Sequence, residues 1–302
     1  MLSLCLSTYY KQTEKNFFMD EGSRCIGEKR RGMKKTIGFL FLFFQSFLFG
    51  DSEVYVTPVT PTSEATTITT KIIFPRPYEN KRKTPINVQM RIEGFPLGVM
   101  TQNDRAQEIY NDPEGQSIHV IIDNGPYRAY NQSFEDSFEQ SKSYYDKILS
   151  FHIPFTLKSG EHVIRAFPTR SYGESLKGKG PFSVEVFYYQ DRKKADTLNI
   201  DLQKPFLTYN EPQGKYPASK SNPILLDFLI SNCDLSPDGY KVGLIIDGKN
   251  IQLLTEYVPY YIYNLSPGKH TVKLQLLDKH NKIVPGFFNV TEREIEIDNY
   301  MD

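Results

Sequence analysis

The chain has no tryptophan, and only three cysteines: Cys5, Cys25 and Cys233. Two of these lie in the first 50 residues. A chain that loses that stretch keeps one thiol and forms no internal disulfide. That excludes a small disulfide-stapled scaffold and leaves packed cores to supply the stability. The missing tryptophan also weakens a sugar-stacking reading, although 20 tyrosines and 21 phenylalanines remain. Charge of either sign is not in excess, at 36 basic and 36 acidic side chains. Residues 1–50 hold eight of the basic and four of the acidic ones, so the remainder is about four units negative. Such a chain has no overall pull towards nucleic acid.

Catalytic signatures are missing as well. The five histidines are His119, His152, His162, His270 and His280, and none stands in His-x-x-x-His or His-Glu-x-x-His spacing. The usual zinc-protease site is therefore not written here. There is no Gly-x-Ser-x-Gly nucleophile elbow. KGKG (177–180) lacks the Lys-Ser/Thr of a phosphate loop and reads as a flexible basic loop. Cys233 has no marked local partner and reads as a buried or idle thiol. No catalytic residue, metal ligand or cofactor is assigned. Paired carboxylates at glycosidase distance are not visible to sequence reasoning.

The first 50 residues do have a layout. GEKRRGMKK (27–35) is basic, TIGFLFLFFQSFLFG (36–50) is apolar, and polar chain follows. This is the order of a secretory signal. The apolar run is short of the ~18 residues of a spanning helix. Met33-Lys34-Lys35 would open a compact bacterial signal, which makes Met33 the expected start of translation. The expected compartment is outside the cytoplasm, secreted or in the envelope. Tethering to the membrane through an uncleaved residue 36–50 segment is the alternative. Three Asn-x-Ser/Thr triplets begin at Asn131, Asn264 and Asn289 and matter only where the host glycosylates secreted proteins.

Beyond the leader the chain writes one pattern twice. INVQMRI (86–92) follows Pro85, and ILLDFLI (224–230) follows Pro223. The first alternates apolar and polar residues with period two, the mark of a half-buried strand. IHVIIDNG and VGLIIDGK come next, each an apolar strand running into Asp and Gly turn chemistry. FHIPFTLKSGEHVIRAF (151–167) then matches YYIYNLSPGKHTVKLQL (260–276), each a strand, a Gly-x-His turn and a strand. FSVEVFYY (182–189) and TEREIEI (291–297) close the copies. Asp123 and Asp247 are equivalent, as are His162 and His270, which gives them shared turn-shaping roles. His119, inside an apolar strand, reads as a satisfied core histidine.

Short strands separated by turn signals, with no long helical period, predict an all-β protein. The expected architecture is two tandem immunoglobulin-like β-sandwich domains. The expected boundaries are a leader over 1–50, a Thr/Pro/Ser-rich linker over 51–70, a first sandwich over 71–190 and a second over 200–298. The pattern of apolar strand, Asp turn, Gly-x-His and strand resembles an uncharacterised group of bacterial secreted proteins with immunoglobulin-like domains. GEHVIRAFPTRSYGESLK (160–177) is its most family-like part, and the second copy lacks the Arg-Ala-Phe-Pro segment. The resemblance spans about residues 71–298 and implies a fold and a compartment, with no activity.

The copies differ in loops. From Pro85 to Asp123 the first is about 14 residues longer than the second is from Pro223 to Asp247. It is about 16 residues longer again between Asp123 and Gly160. These insertions, with TRSYGESLKGKG (169–180), are expected at one end of the first sandwich, where a rigid scaffold carries binding residues. SFEDSFEQSKSYYDKIL (133–149) could hold a short helix. The candidate ligand-binding cluster is Arg105, Tyr110, Tyr144, Tyr145, Arg170, Tyr172, Glu174, Lys177 and Lys179. Tyrosine brings apolar area with a hydroxyl, and arginine brings bidentate bonding. The bland alternative is that these loops pack on their own sandwich or its neighbour. The expected function is non-catalytic binding or organisation of a protein or glycan partner. A carbohydrate-binding or carbohydrate-active envelope protein and a membrane-tethered adaptor are the alternatives.

Overall fold

The computed structural model describes residues 53–63, 67–132, 147–178, 180–190, 198 and 200–299. The leader, with Met33 and residues 36–50, lies outside them. The strands are β1 (Tyr55–Pro58), β2 (Thr69–Phe74), β3 (Asn80–Lys81), β4 (Asn87–Glu93), β5 (Ser117–Ile122), β6 (Arg128–Tyr130), β7 (Lys147–His152), β8 (Gly160–Thr169) and β9 (Ser183–Tyr189). They continue as β10 (Phe206–Glu211), β11 (Gly214–Tyr216), β12 (Ile224–Ser231), β13 (Lys241–Ile246), β14 (Lys249–Leu254), β15 (Tyr260–Tyr263), β16 (Gly268–Leu277) and β17 (Val290–Ile297). One helical turn, α1 (Arg105–Glu108), stands in the first insertion.

The strands build two sandwiches of one order, to which the second adds an edge strand, β1. In the first, sheet β2-β4-β7 faces sheet β3-β9-β8-β5-β6. In the second, β10-β12-β15 faces β11-β17-β16-β13-β14. Each reads as immunoglobulin strands A, B and E over A′, G, F, C and C′. The short A′ strand runs parallel to G in both, with Asn80 opposite Tyr188 and Gly214 opposite Ile295. The protein is all-β and immunoglobulin-like on this order. Val88, Met90 and Ile92 on β4 are fully buried and face Ile118, Val120 and Ile164 in the first core. In the second core, Leu226, Phe228, Leu244 and Val272 hold the places of Val88, Met90, Val120 and Ile164.

The repeated aspartate and histidine make one clasp per sandwich. Asp123 and Asp247 sit at φ +56° and +49° at the end of strand C. One carboxylate oxygen of Asp123 accepts from His162 Nδ1 at 2.9 Å and the other from the Val163 amide at 3.1 Å. His162 Nε2 donates to the Lys158 carbonyl at 2.7 Å. Asp247 makes the same bonds to His270 and Thr271, and His270 reaches the Ser266 carbonyl at 2.7 Å. Both ring nitrogens of His162 face acceptors, so the full set of bonds needs the imidazolium. Burial works against that charge, but the bond to Asp123 and its charge outweigh it and raise the His162 pKa. The clasp fixes the C–C′ turn to strand F in each copy.

The segment read as a linker over 51–70 is different in kind. At Tyr55–Pro58 it forms β1, antiparallel to β15 of the second sandwich, with Val56 opposite Ile262. Val56 is buried in the second core, and Tyr55 stacks on Tyr263 at 4.7 Å. The Val59 amide extends the pairing to Pro259 at 2.9 Å. Between Leu254 and Tyr260 the second copy has too few residues to write a D strand of its own. A strand from ahead of the first sandwich takes that edge. Proline ends β1 at the sheet edge, where its missing N–H is harmless. The part of 133–149 that is described is strand, because Lys147–His152 pairs with β4.

Candidate functional site

Strands β5, β8, β10 and much of β12 are buried on both faces. Their outward side chains account for this. Ile121 and Phe167 of the first sandwich pack on Leu229 of the second, and Val163 and Val186 pack on Phe206 and Phe288. The C–F face of the first sandwich thus lies on the A–B–E face of the second. Near-continuous apolar runs such as IHVII and ILLDFLI carry this signal, since a strand buried on both faces loses its alternation.

Polar residues inside those runs bond across the seam. His119 Nδ1 meets Asn210 Oδ1 at 2.7 Å, and burial pulls the His119 pKa down to about 4, so it is neutral. Asn210 Nδ2 donates to Asp227 Oδ2 at 2.7 Å and to the Gly173 carbonyl at 2.7 Å. Asp227, with no exposed surface, also accepts from the Ser175 amide and hydroxyl and from Lys177 Nζ at 2.7 Å. Arg165, 1% exposed, donates to Thr208 Oγ1 at 3.0 Å and to the Asp123 carbonyl at 2.7 Å. Its guanidinium lies 4.1 Å from the Phe288 ring centroid. Burial and the nearby Arg293 lower the Arg165 pKa to about 9.

The candidate loop residues are placed as follows. The insertion over 100–115 and the 169–178 loop do meet: the Asp112 amide donates to the Ser171 carbonyl at 2.8 Å. Arg105, Tyr172 and Glu174 come together, but their partner is the chain's own segment 60–63. Glu174 accepts from the Thr62 amide at 2.8 Å and hydroxyl at 2.7 Å and pairs with Arg105. The Tyr172 hydroxyl lies 2.7 Å from Thr62 Oγ1. Arg105 also donates to the Thr60 carbonyl, and Arg170 to the Ser63 carbonyl at 2.6 Å. Lys177 is committed to Asp227 and to the Phe228 carbonyl at 2.7 Å. Arg105, Tyr172, Glu174 and Lys177 are thus spent on internal contacts that strap the two sandwiches together. Tyr144, Tyr145 and Lys179 lie outside the described residues.

Tyr110 and Arg170 remain at an opening. A cleft of about 130 Å³ enters between the sandwiches, walled by Tyr110, Tyr127 and Arg170 on one side and by Glu211, Gln213 and Tyr216 on the other. Tyr110, 36% exposed, meets Tyr216 edge-on at 6.1 Å. Tyr127 stacks on His119 at 3.6 Å, and the Gln213 amide exchanges two bonds with its backbone at 2.9 and 3.0 Å. Glu211, 6% exposed, stands between them. Its Oε1 accepts from the Tyr127 hydroxyl at 2.6 Å. Its Oε2 accepts from the Tyr216 hydroxyl at 2.8 Å and the Gln213 backbone N–H at 3.0 Å. Burial raises the Glu211 pKa to about 7, against the lowering effect of these donors, and Asp227 adds to the rise. Gly173 passes close by at φ +86°, where a Cβ would stand 3.0 Å from Oε1. A recess with convergent polar groups and a shifted carboxyl is the physical profile of a binding site. Sequence reasoning placed Tyr110 and Arg170 but not Glu211, His119, Tyr127 or Tyr216. The acidic residue at the end of FLTYNE was the available signal.

Among the described residues no group of His, Cys, Asp and Glu is arranged to hold a metal ion. None of their helices is long and apolar enough to cross a membrane.

No family model matches the chain. No curated protein matches it. Among solved structures it is similar to the fibronectin(III)-like modules of Clostridium thermocellum CbhA, at 10% identity over 76% of this chain and 94% of that one, with a TM-score of 0.25. It is also similar to a chimeric titin Z1Z2 tandem, at 10% identity over 76% and 95% of the two chains and a TM-score of 0.20. A third is Bacteroides ovatus SGBP-B in complex with a mixed-linkage heptasaccharide, at 11% identity over 82% and 70% and a TM-score of 0.18. These scores carry no functional argument, and the fold class rests on the strand order.

Proposed function

We propose that this chain is a non-catalytic binding protein that works outside the cytoplasm, secreted or held in the envelope. Its two sandwiches form one body whose seam carries the ligand site. The observation that carries this reading is the cleft at Tyr110, Tyr127, Glu211 and Tyr216. It is open to solvent, lies between two rigid sheets, and holds a buried carboxyl on tyrosine hydroxyls. The compartment is supported by the basic-then-apolar leader and by the single cysteine beyond it. The loop cluster named from sequence acts in this reading as the strap that holds the cleft walls in place, with Tyr110 and Arg170 at the mouth.

The test has two parts. Fractionation with N-terminal sequencing of the native protein should find it outside the cytoplasm, either cut near Asp51 or membrane-bound with residues 36–50 retained. A fragment screen read by NMR on the intact protein should shift the signals of Tyr110, Tyr127 and Tyr216 together. A cytosolic chain intact from Met1, or a screen that leaves the cleft unmoved, would overturn the proposal.

A further inference from the structure

We infer that the cleft takes one terminal ring of a neutral carbohydrate. This rests on the reading of the cleft as the ligand site and adds the ligand's class. Charge comes first. Lys215 of the lining is paired with Glu296 at 3.0 Å. Arg170 and Lys220 keep their positive charges in the lining, because each bonds only to a carbonyl, of Ser63 and of Gln107. Asp112 and Glu211 are the two carboxyl groups of the same lining. Two cations and two carboxyl groups balance. A ligand with net charge of either sign would be attracted by one pair and repelled by the other, so the walls favour a neutral one.

The hydrogen-bonding groups left over are of both kinds. Asp112 Oδ1 takes the Glu114 amide at 2.9 Å, while Asp112 Oδ2 and the Tyr110 hydroxyl have no partner among the described residues. A guanidinium has five N–H groups and an ammonium three, and Arg170 and Lys220 each use one. A sugar hydroxyl both donates and accepts. Adjacent hydroxyls on one ring can therefore serve a carboxylate and a guanidinium together. Tyrosine supplies the other half of the match. Tyr110 is exposed and meets Tyr216 edge-on at 6.1 Å, and the C–H groups of a pyranose suit the negative face of such a ring. A small zwitterion would also meet both signs, but it has no ring face to lay on the tyrosines. Glu211 is a positioning residue here. Packed against Gly173, it holds the Tyr127 and Tyr216 hydroxyls from behind. Size agrees. At about 130 Å³ the cleft is smaller than the roughly 300–1,000 Å³ of sites that enclose a whole small molecule. It suits one ring at the end of a glycan.

The experiment titrates the intact protein with the methyl glycosides of glucose, galactose, mannose and N-acetylglucosamine. Acetate, methylammonium, alanine and the hydroxyl-free ring tetrahydropyran run in parallel. NMR shifts at Tyr110, Tyr127 and Tyr216 report occupancy. The expected result is that at least one glycoside binds at the cleft about tenfold more tightly than any control, the worth of one hydrogen bond to a charged group. Tyr110→Ala and Asp112→Asn, both at the surface, should each weaken it several-fold, and Tyr110→Phe, which keeps the ring, should weaken it less than Tyr110→Ala. Preferred binding of acetate, methylammonium or alanine at the same signals would overturn the carbohydrate assignment while keeping the cleft as the site. So would tetrahydropyran binding as well as the glycosides, or glycoside binding that both Tyr110→Ala and Asp112→Asn leave unchanged. If a screened fragment moves those signals and no glycoside does, the carbohydrate reading alone falls. If no probe and no fragment moves them, both readings fall.

Discussion

Replacing Lys177 by methionine tests whether the polar seam couples the sandwiches. The Lys177–Asp227 pair spans the two domains at 2.7 Å, with the lysine side chain 10% exposed and the aspartate not exposed at all. At that distance and an effective dielectric of about 20, the gross attraction is about 6 kcal/mol. Desolvation of two ions, several kcal/mol each, offsets most of it. Removing one partner is costlier than the net value of the pair, because the other charge stays buried; such losses run to about 3–5 kcal/mol. Asp227 retains the Ser175 amide, the Ser175 hydroxyl and Asn210 as donors. That places Lys177→Met near the lower end, at about 3 kcal/mol. Asp227→Asn should also be destabilising, and the double variant should fall short of the sum by about 2 kcal/mol. Urea unfolding followed by far-ultraviolet circular dichroism and tyrosine fluorescence is the assay, since no tryptophan is present. Weakening the seam should also separate one transition into two. A cost under about 1 kcal/mol, with the transition still single, would refute the argument.

Two further outcomes follow from the clasp and the strap. The His162 pKa is raised by folding, so its contribution is present in full below the unfolded value of about 6.5 and is lost as pH rises through the folded value. Urea midpoints of the native chain should therefore decline relative to His162→Asn across that window, and parallel pH profiles would count against the imidazolium. At the second clasp the Asp247 pKa is lowered; burial opposes the shift, but the bonds from His270 and the Thr271 amide prevail. Its contribution is present above the unfolded pKa and is lost as pH falls through the folded one, so Asp247→Asn should flatten the acid limb of stability. Val56→Asp puts a charge into the second core, where Val56 is 7% exposed. It should cost more than the roughly 1.5–3 kcal/mol of a buried valine's transfer and should open residues 53–63 to limited proteolysis. Proteolysis unchanged from the native chain would mean that β1 does not hold that edge.

The strands were legible in the sequence because their alternation is local. INVQMRI alternates by face, and its structural counterpart, β4, buries Val88, Met90 and Ile92 while Asn87 and Arg91 point out. The paired aspartates and histidines were legible too, because each clasp closes within one hairpin and its neighbouring strand. The strap was not. YVTPVTPTS reads as linker by composition, and a four-residue strand has little propensity of its own; its partner β15 decides it. Nor could composition show that Glu174 meets Thr62, 112 residues away, or which surface covers the outward face of ILLDFLI. The enlarged loops were rightly placed near one another where they are described, yet side chains that bind a ligand and side chains that bind a neighbouring strand are the same tyrosines, arginines and carboxylates.

The topology gives the two copies unequal roles. Because β1 precedes the first sandwich and pairs within the second, the first sandwich is an insertion between β1 and β10. The second cannot add β1 to the open edge of its A–B–E sheet until the chain on both sides of the first has been made and docked. Residues 60–63, just beyond β1, are gripped by Arg105, Arg170, Tyr172 and Glu174 from the first sandwich. Completing the second sheet therefore also ties down the loops that form one wall of the cleft. Glu211 closes the circuit from the other side. It ends β10, the strand that re-enters the second sandwich, and it accepts the hydroxyl of Tyr127 from the first. A guest seated in the cleft would bind only the docked arrangement, in which Tyr127 and Tyr216 converge on one carboxylate. By mass action it would stabilise the seam by an amount that grows with the logarithm of its concentration over its Kd.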